Sequence, residues 1–285
     1  MPTIDSQGAG LVRLDRGSAL MDKVPMTSGG MRILILGGTG EASALARSLA
    51  GRPDLSVVLS LAGRTAAPKA EPVPTRVGGF GGAEGLARYL AAEGVDCLID
   101  ATHPFAAAIS ANAARAAVLT GVRLLAIRRP PWHRGAGDVW NEVDTMEQAV
   151  AALGQEPRRV FLTIGRQEAG AFAAAPQHRY LARTVEPLGD LLPVPHLTAL
   201  EARGPFDADS EVALMRANGI EIVVSKNSGG AATYGKIAAA RGLAIPVVMV
   251  RRPEKPDVPS VPDAEGARRW LRFGDHAGPS TLRAV

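Results

Sequence analysis

The stretch MRILILGGTGEASALARSLA, residues 31–50, passes from an unbroken apolar run through a glycine cluster into apolar residues at helical spacing. Ile33, Leu34, Ile35 and Leu36 show no polar alternation, the pattern of a strand covered by helices on both faces of a parallel sheet. Gly37, Gly38 and Gly40 permit a tight turn and let a phosphate approach main-chain N–H groups. A helix beginning near Glu41 aims its positive end at the same point. A dinucleotide pyrophosphate fits here, which makes Gly37, Gly38, Thr39, Gly40 and Glu41 candidate cofactor contacts. The G-x-G-x-x-G fingerprint is only partly met, because Ser43 stands at the third glycine position, and a plain strand-to-helix connection would use the same glycines.

Downstream, a second strand over Ser56–Leu61 ends in SLAGR, residues 60–64. A dinucleotide fold reads the adenosine ribose about 20 residues after its glycine turn. Selection of NAD places an acid there; Ser60, Gly63 and Arg64 offer a hydroxyl and a guanidinium, which favours NADP, although Arg64 also suits a solvated loop. The loop RVGGFGG, residues 76–82, follows a proline-rich segment, and its Gly79 and Phe80 can lie against an adenine or ribose. A helix over 83–93 then leads to the apolar strand VDCLIDA, residues 95–101, which ends in THPFA. Ligands of open parallel sheets sit outside the carboxyl ends of strands, so Thr102, His103, Pro104 and Phe105 are expected to face the cofactor crevice. His103 is read equally well as structural or catalytic.

The segment Gly94–Pro130 is repeated in plan by Gly219–Pro253: strand, polar strand end, alanine-rich helix, strand, Arg-Arg-Pro. The expected fold is therefore α/β, with two Rossmann-like doubly wound parallel-sheet lobes and a site in the cleft between them. The lobes are expected over 31–140, binding NADP, and 141–285, binding substrate. Residues 1–30 lack a periodic apolar face and read as a flexible extension that carries neither a signal nor an anchor. With 46% apolar residues the chain can build a core in each lobe. The single Cys97 reads as a buried small hydrophobe, which suits a reducing cytoplasm, and its spacing holds no metal. A net charge of +4 comes from scattered arginines with only 4% aromatic residues, which argues against nucleic acid and is compatible with an anionic small molecule. Gly230–Lys236, GAATYGK, begins like a phosphate-binding loop, but Ile237 replaces the required hydroxyl and most of the stretch reads as helix.

GGTGEA (37–42), SLAGR (60–64), GGFGG (78–82), ATHPFA (101–106), TIGRQ (163–167) and SKNSGG (225–230) together resemble the precorrin-6A reductase family of cobalamin biosynthesis, from Met31 to about Phe273. The resemblance implies a cytoplasmic NADPH-dependent reductase of one double bond in the precorrin-6A macrocycle. Family members acting on the cobalt-containing macrocycle, with NADH, are the alternative, as is a binding protein that senses NADP without chemistry. Such a macrocycle is an apolar disc edged with carboxylates, so its site needs an open apolar face and separated cations. Pro104, Phe105, Arg166 and Arg183 are candidates, as are Lys226, Asn227, Ser228 and Gly229, in a loop expected to open a helix and hold an anion.

Overall fold

Two parallel sheets of six strands, built to one plan, form the protein, whose computed structural model describes residues 30–63 and 70–273. The first sheet contains β1 (Met31–Leu36), β2 (Leu55–Leu61), β3 (Thr75–Val77), β4 (Cys97–Asp100) and β5 (Arg123–Ile127). The second contains β6 (Trp140–Val143), β7 (Arg159–Thr163), β8 (Arg179–Thr184), β9 (Leu197–Glu201), β10 (Ile222–Lys226) and β11 (Val247–Val250). A last short strand, β12 (Ser260–Val261), returns to the first sheet. The spatial orders are β12-β5-β4-β1-β2-β3 and β6-β11-β10-β7-β8-β9. Strand order therefore reverses beside β1 and β4 in one sheet and beside β7 and β10 in the other, where doubly wound folds place their ligands.

The unbroken apolar strands are covered on both faces, as their sequence demands. Ile33 and Ile35 of β1 pack with Ala42, Leu45, Ala46 and Leu49 of α1 (Gly40–Leu49), at helical spacing. Leu34 and Leu36 point the other way, towards α2 (Gly82–Ala92) and α3 (Ala107–Thr120). The second sheet repeats this, with Val160 and Leu162 on one face and Phe161 on the other.

Each lobe surrenders an edge strand to its neighbour. After β5, Arg128, Arg129 and Pro130 lead the chain to β6, which pairs with β11; after β11, Arg251, Arg252 and Pro253 lead it back to β12, which pairs with β5. This corrects the expected division. The boundary at 140/141 falls inside β6, and the chain from Ser260 belongs to the first lobe, where Ala267 and Leu271 of α8 (Ala264–Phe273) join the core beside α1. Local pattern marks an amphipathic helix but not which sheet receives it. The expected extension over 1–30 lies outside the described residues, apart from Gly30.

Replacing Leu271, 5% exposed in that core, with Ala is expected to cost about 2–5 kcal/mol in urea unfolding. A loss below about 0.5 kcal/mol would show that the returning helix adds little to the first lobe.

Candidate active site

The glycine turn stands at the reversal point of the first sheet. Thr39 caps α1: its Oγ1 accepts from the Ala42 amide at 3.2 Å and donates to the Ala101 carbonyl at 2.7 Å, fastening the turn to the end of β4. Gly38 has φ +104°, and among the described residues a Cβ built on it or on Gly40 would meet no atom within 4 Å. The ten-residue α1 thus directs its free amides into open space. The second lobe has a matching turn at Gly165, φ +118°, but there α5 (Arg166–Ala169) spans only four residues. Glu168 and Lys226, paired at 2.8 Å, crowd that glycine. Among the described residues, the turn of the first lobe is open where that of the second is filled by its own ion pair.

Beside the turn, Ser60, next to last in β2, is buried, its Oγ accepting from Arg76 Nη1 at 3.3 Å. Arg76 also donates to the Gly78 and Gly79 carbonyls at 2.6 and 2.8 Å and lies 3.8 Å over the Phe80 ring. It shapes the GGFGG loop and was not singled out from sequence. Gly63 is exposed with φ +74°, and Arg64 lies outside the described residues.

At the end of β4, buried Asp100 accepts from the Thr102 hydroxyl at 2.6 Å and from Arg128 at 2.8 Å. Burial raises its pKa, but Arg128 and the hydroxyls of Ser110 and Thr102 outweigh this and hold the carboxyl below its usual range. His103 Nδ1 accepts from the Phe105 amide at 3.2 Å, so the ring proton resides on Nε2. Burial, then Lys226, Arg129, Lys255 and Arg252, push the His103 pKa down to about 3. The ring is a neutral donor at physiological pH.

The two crossings are stitched together over this floor. Arg252 donates to the carbonyls of Asn227 (2.7 Å), Arg129 (2.8 Å), Pro130 (3.1 Å) and Ser228 (2.9 Å). The Asn227 side chain pairs with both main-chain groups of Trp132, at 2.8 and 2.9 Å. Arg129 holds Glu41 in the first turn of α1 at 2.9 Å and the Ser228 carbonyl at 2.7 Å. Gly229, φ +67°, passes so close to Pro130 and Arg252 that a Cβ would overlap both.

Two cavities flank this floor. A small one is lined by Thr39, Glu41, Thr102, Pro104, Ile127 and Arg129 at the strand ends of the first sheet. A larger one, about 590 Å³, opens at the strand ends of the second, with Trp132, His133, Phe206 and Tyr234 on its wall. Arg129 of the first cavity lies against Gly230 of the second. The Tyr234 hydroxyl is occupied by Arg241 at 2.5 Å.

Several expected substrate contacts have partners within the chain. Arg183 is buried in a two-pronged pair with Glu211 and stacks 3.7 Å beneath Phe206, because β8 turns it towards α6 (Ala208–Ala217) rather than into the cleft. Asn227 spends its amide on Trp132. Phe105 packs into the core of the second lobe, and Lys226, paired with Glu168, sits 5.2 Å over its ring. Ser228 contributes its carbonyl to both arginines, and Arg166 is exposed. The loop Ser225–Gly230 does not open a helix, since α7 (Gly235–Gly242) starts later; of GAATYGK only the last two residues are helical.

The family model described as "Precorrin-6x reductase CbiJ/CobK" matches residues 32–272. The chain belongs to that family. This reductase is 56% identical over 244 residues to a precorrin-6A reductase of Sinorhizobium sp., covering 84% of this chain and 94% of the relative. It is 51% identical to the precorrin-6A reductase of Rhodobacter capsulatus, covering 89% and 99%. A solved structure titled "CobK precorrin-6A reductase" superposes with a TM-score of 0.82 at 50% identity, covering 88% of this chain and all of that one. The two-lobed α/β architecture expected from the sequence is thereby borne out.

For the reductase, Arg183→Ala is expected to cost about 3–5 kcal/mol of stability, because Glu211 is left buried and unpaired. Thermal and urea unfolding would check this; unchanged stability with weakened substrate binding would return Arg183 to the substrate site.

Proposed function

We propose that this oxidoreductase of cobalamin biosynthesis reduces one double bond of precorrin-6A with NADPH, in the cytoplasm. The observation that carries the reading is the contrast between the two reversal points. The first offers an open, capped helix start of the kind a pyrophosphate needs, while the second is filled by its own ion pair. Gly37, Gly38, Thr39 and Gly40 hold the pyrophosphate; Ser60, Gly63, Arg64 and the Gly79–Phe80 loop hold the adenosine end. Glu41 acts one step back, orienting Arg129. Thr102 and His103 face the nicotinamide end, with His103 donating a hydrogen bond from Nε2.

The bound nicotinamide supplies a hydride to the double bond, and the chain supplies orientation and field. The apolar face of the macrocycle suits Trp132, Phe206 and Tyr234, whose rings wall the larger cavity. Arg129, which lines the smaller cavity and lies against Gly230 of the larger, borders both ligands, and Pro104 lines the smaller cavity. Lys226, Ser228 and Gly229 shape the floor, and Arg166, exposed beside it, is placed to meet a carboxylate. The relatives at 56% and 51% identity are named for the cobalt-free macrocycle, which favours it over the cobalt-containing one. Among the described residues no helix is long and apolar enough to cross a membrane.

Reaction and face are tested together with NADPH deuterated on one face of the nicotinamide, by locating the label in the reduced macrocycle by NMR; NADPH left unoxidised in the presence of precorrin-6A would refute the reading. In a second measurement, Arg64→Ala is expected to weaken NADPH roughly tenfold to a hundredfold while leaving NADH almost unchanged, since only NADPH presents a 2′-phosphate. Equal loss for both cofactors would make Arg64 structural.

A further inference from the structure

Saturating a C=C bond takes a proton as well as a hydride, and the groups around the crevice differ sharply in their capacity to provide one. His103 is a poor source. Its Nδ1 is occupied as an acceptor, the ring is neutral, and loss of the Nε2 proton would leave an imidazolate. Lys236 is buried, with Nζ on the Thr233 carbonyl at 3.2 Å and covered by the Trp132 ring at 5.2 Å. Lys226 is committed to Glu168.

Lys255 differs from all three. It lies on the returning crossing between β11 and β12, half-buried, and reaches back over the end of β4. Nζ donates to the His103 carbonyl at 2.9 Å and approaches the Thr102 hydroxyl at 3.3 Å, and Thr102 lines the small cavity at the glycine turn. Its third N–H is left over from these two contacts. On the reading given under Proposed function, we propose that Lys255 is the general acid that protonates the macrocycle carbon next to the one receiving the hydride.

The charged neighbours suit that task. Asp100 at the end of β4 favours the ammonium, whereas Arg128 and Arg129 from the first crossing and Arg252 from its own disfavour it. Burial is the largest influence, and together they push the Lys255 pKa down to about 8. At neutral pH the side chain is mostly ammonium and a far better proton donor than an ordinary lysine. In the step, an N–H bond of Lys255 breaks with its electron pair remaining on Nζ, and a C–H bond forms on the macrocycle. The neighbouring carbon takes the hydride supplied by the reduced nicotinamide, so the double bond gains two electrons and the nicotinamide loses two. The neutral amine recovers its proton from water on its exposed side.

The test compares wild type with Lys255→Arg, which keeps the charge and the hydrogen bonds but cannot release a proton easily, and with Lys255→Met. First, lysine NMR on the ligand-free protein should give a Lys255 titration near pH 8 that is missing from both variants. Second, wild-type turnover should fall as pH rises through that value, and Lys255→Arg should lower kcat about a hundredfold with little change in KM or in NADPH affinity. A Lys255 midpoint at the ordinary lysine value, or a Lys255→Arg enzyme that keeps its kcat, would overturn the proposal. So would a Lys255→Met enzyme with raised KM and unchanged kcat, which would make Lys255 a carboxylate anchor. Those outcomes leave the reductase intact; wild-type protein that oxidises no NADPH with precorrin-6A at any pH would instead remove the reading on which the proposal rests.

Discussion

The Arg252 guanidinium, fanned over four carbonyl oxygens, joins the two places where the chain changes lobes. Two of those carbonyls, Arg129 and Pro130, lie on the outward crossing, and two, Asn227 and Ser228, follow β10. Hydrogen bonds from a charged donor are each worth about 1.5–3 kcal/mol. The set fixes the separation of the two cavities more firmly than apolar contact between lobes would. Burial and the nearby Arg129 lower the Arg252 pKa only to about 10, so the charge persists under physiological conditions.

From this joint the geometry propagates in both directions. Arg129 carries it to Glu41 in the first turn of α1, beside the open glycine turn. Asn227 carries it to Trp132, and Trp132 in turn donates to the Gly230 carbonyl at 2.8 Å on the rim of the larger cavity. A hydride donor and acceptor must be held within a few tenths of an ångström of a productive distance, and a rigid joint between the two sheets meets that need. The exchanged edge strands serve the same end, because neither sheet is complete without a segment supplied across the joint.

The glycine turn, the buried strands and the repeated βαβ plan were legible in the sequence because each rests on local chemistry: apolar runs, turn residues and helical spacing. Arg183 and Asn227 were misread for a shared reason. A polar residue at a strand end looks alike whether its partner is a ligand or another segment of the chain, and their partners Glu211 and Trp132 are 28 and 95 residues away. The repeated Arg-Arg-Pro carries more than the two-lobed plan it supports in the sequence. Its recurrence marks both crossings; its second member supplies Arg129 in one copy and Arg252 in the other, and Lys255 follows two residues after the second copy. The aromatic wall of Trp132, Phe206 and Tyr234 draws on three separate loops and had no linear signature.

The proposed division of labour puts the cofactor in the first lobe and the macrocycle against the aromatic wall of the second. Its most direct test is the dissociation constant of each ligand measured separately on Phe206→Ala. Macrocycle affinity should fall by about 1.5–3 kcal/mol, roughly tenfold to a hundredfold, with NADPH affinity unchanged. Loss of NADPH affinity with macrocycle binding intact would contradict the account and place the cofactor in the second lobe.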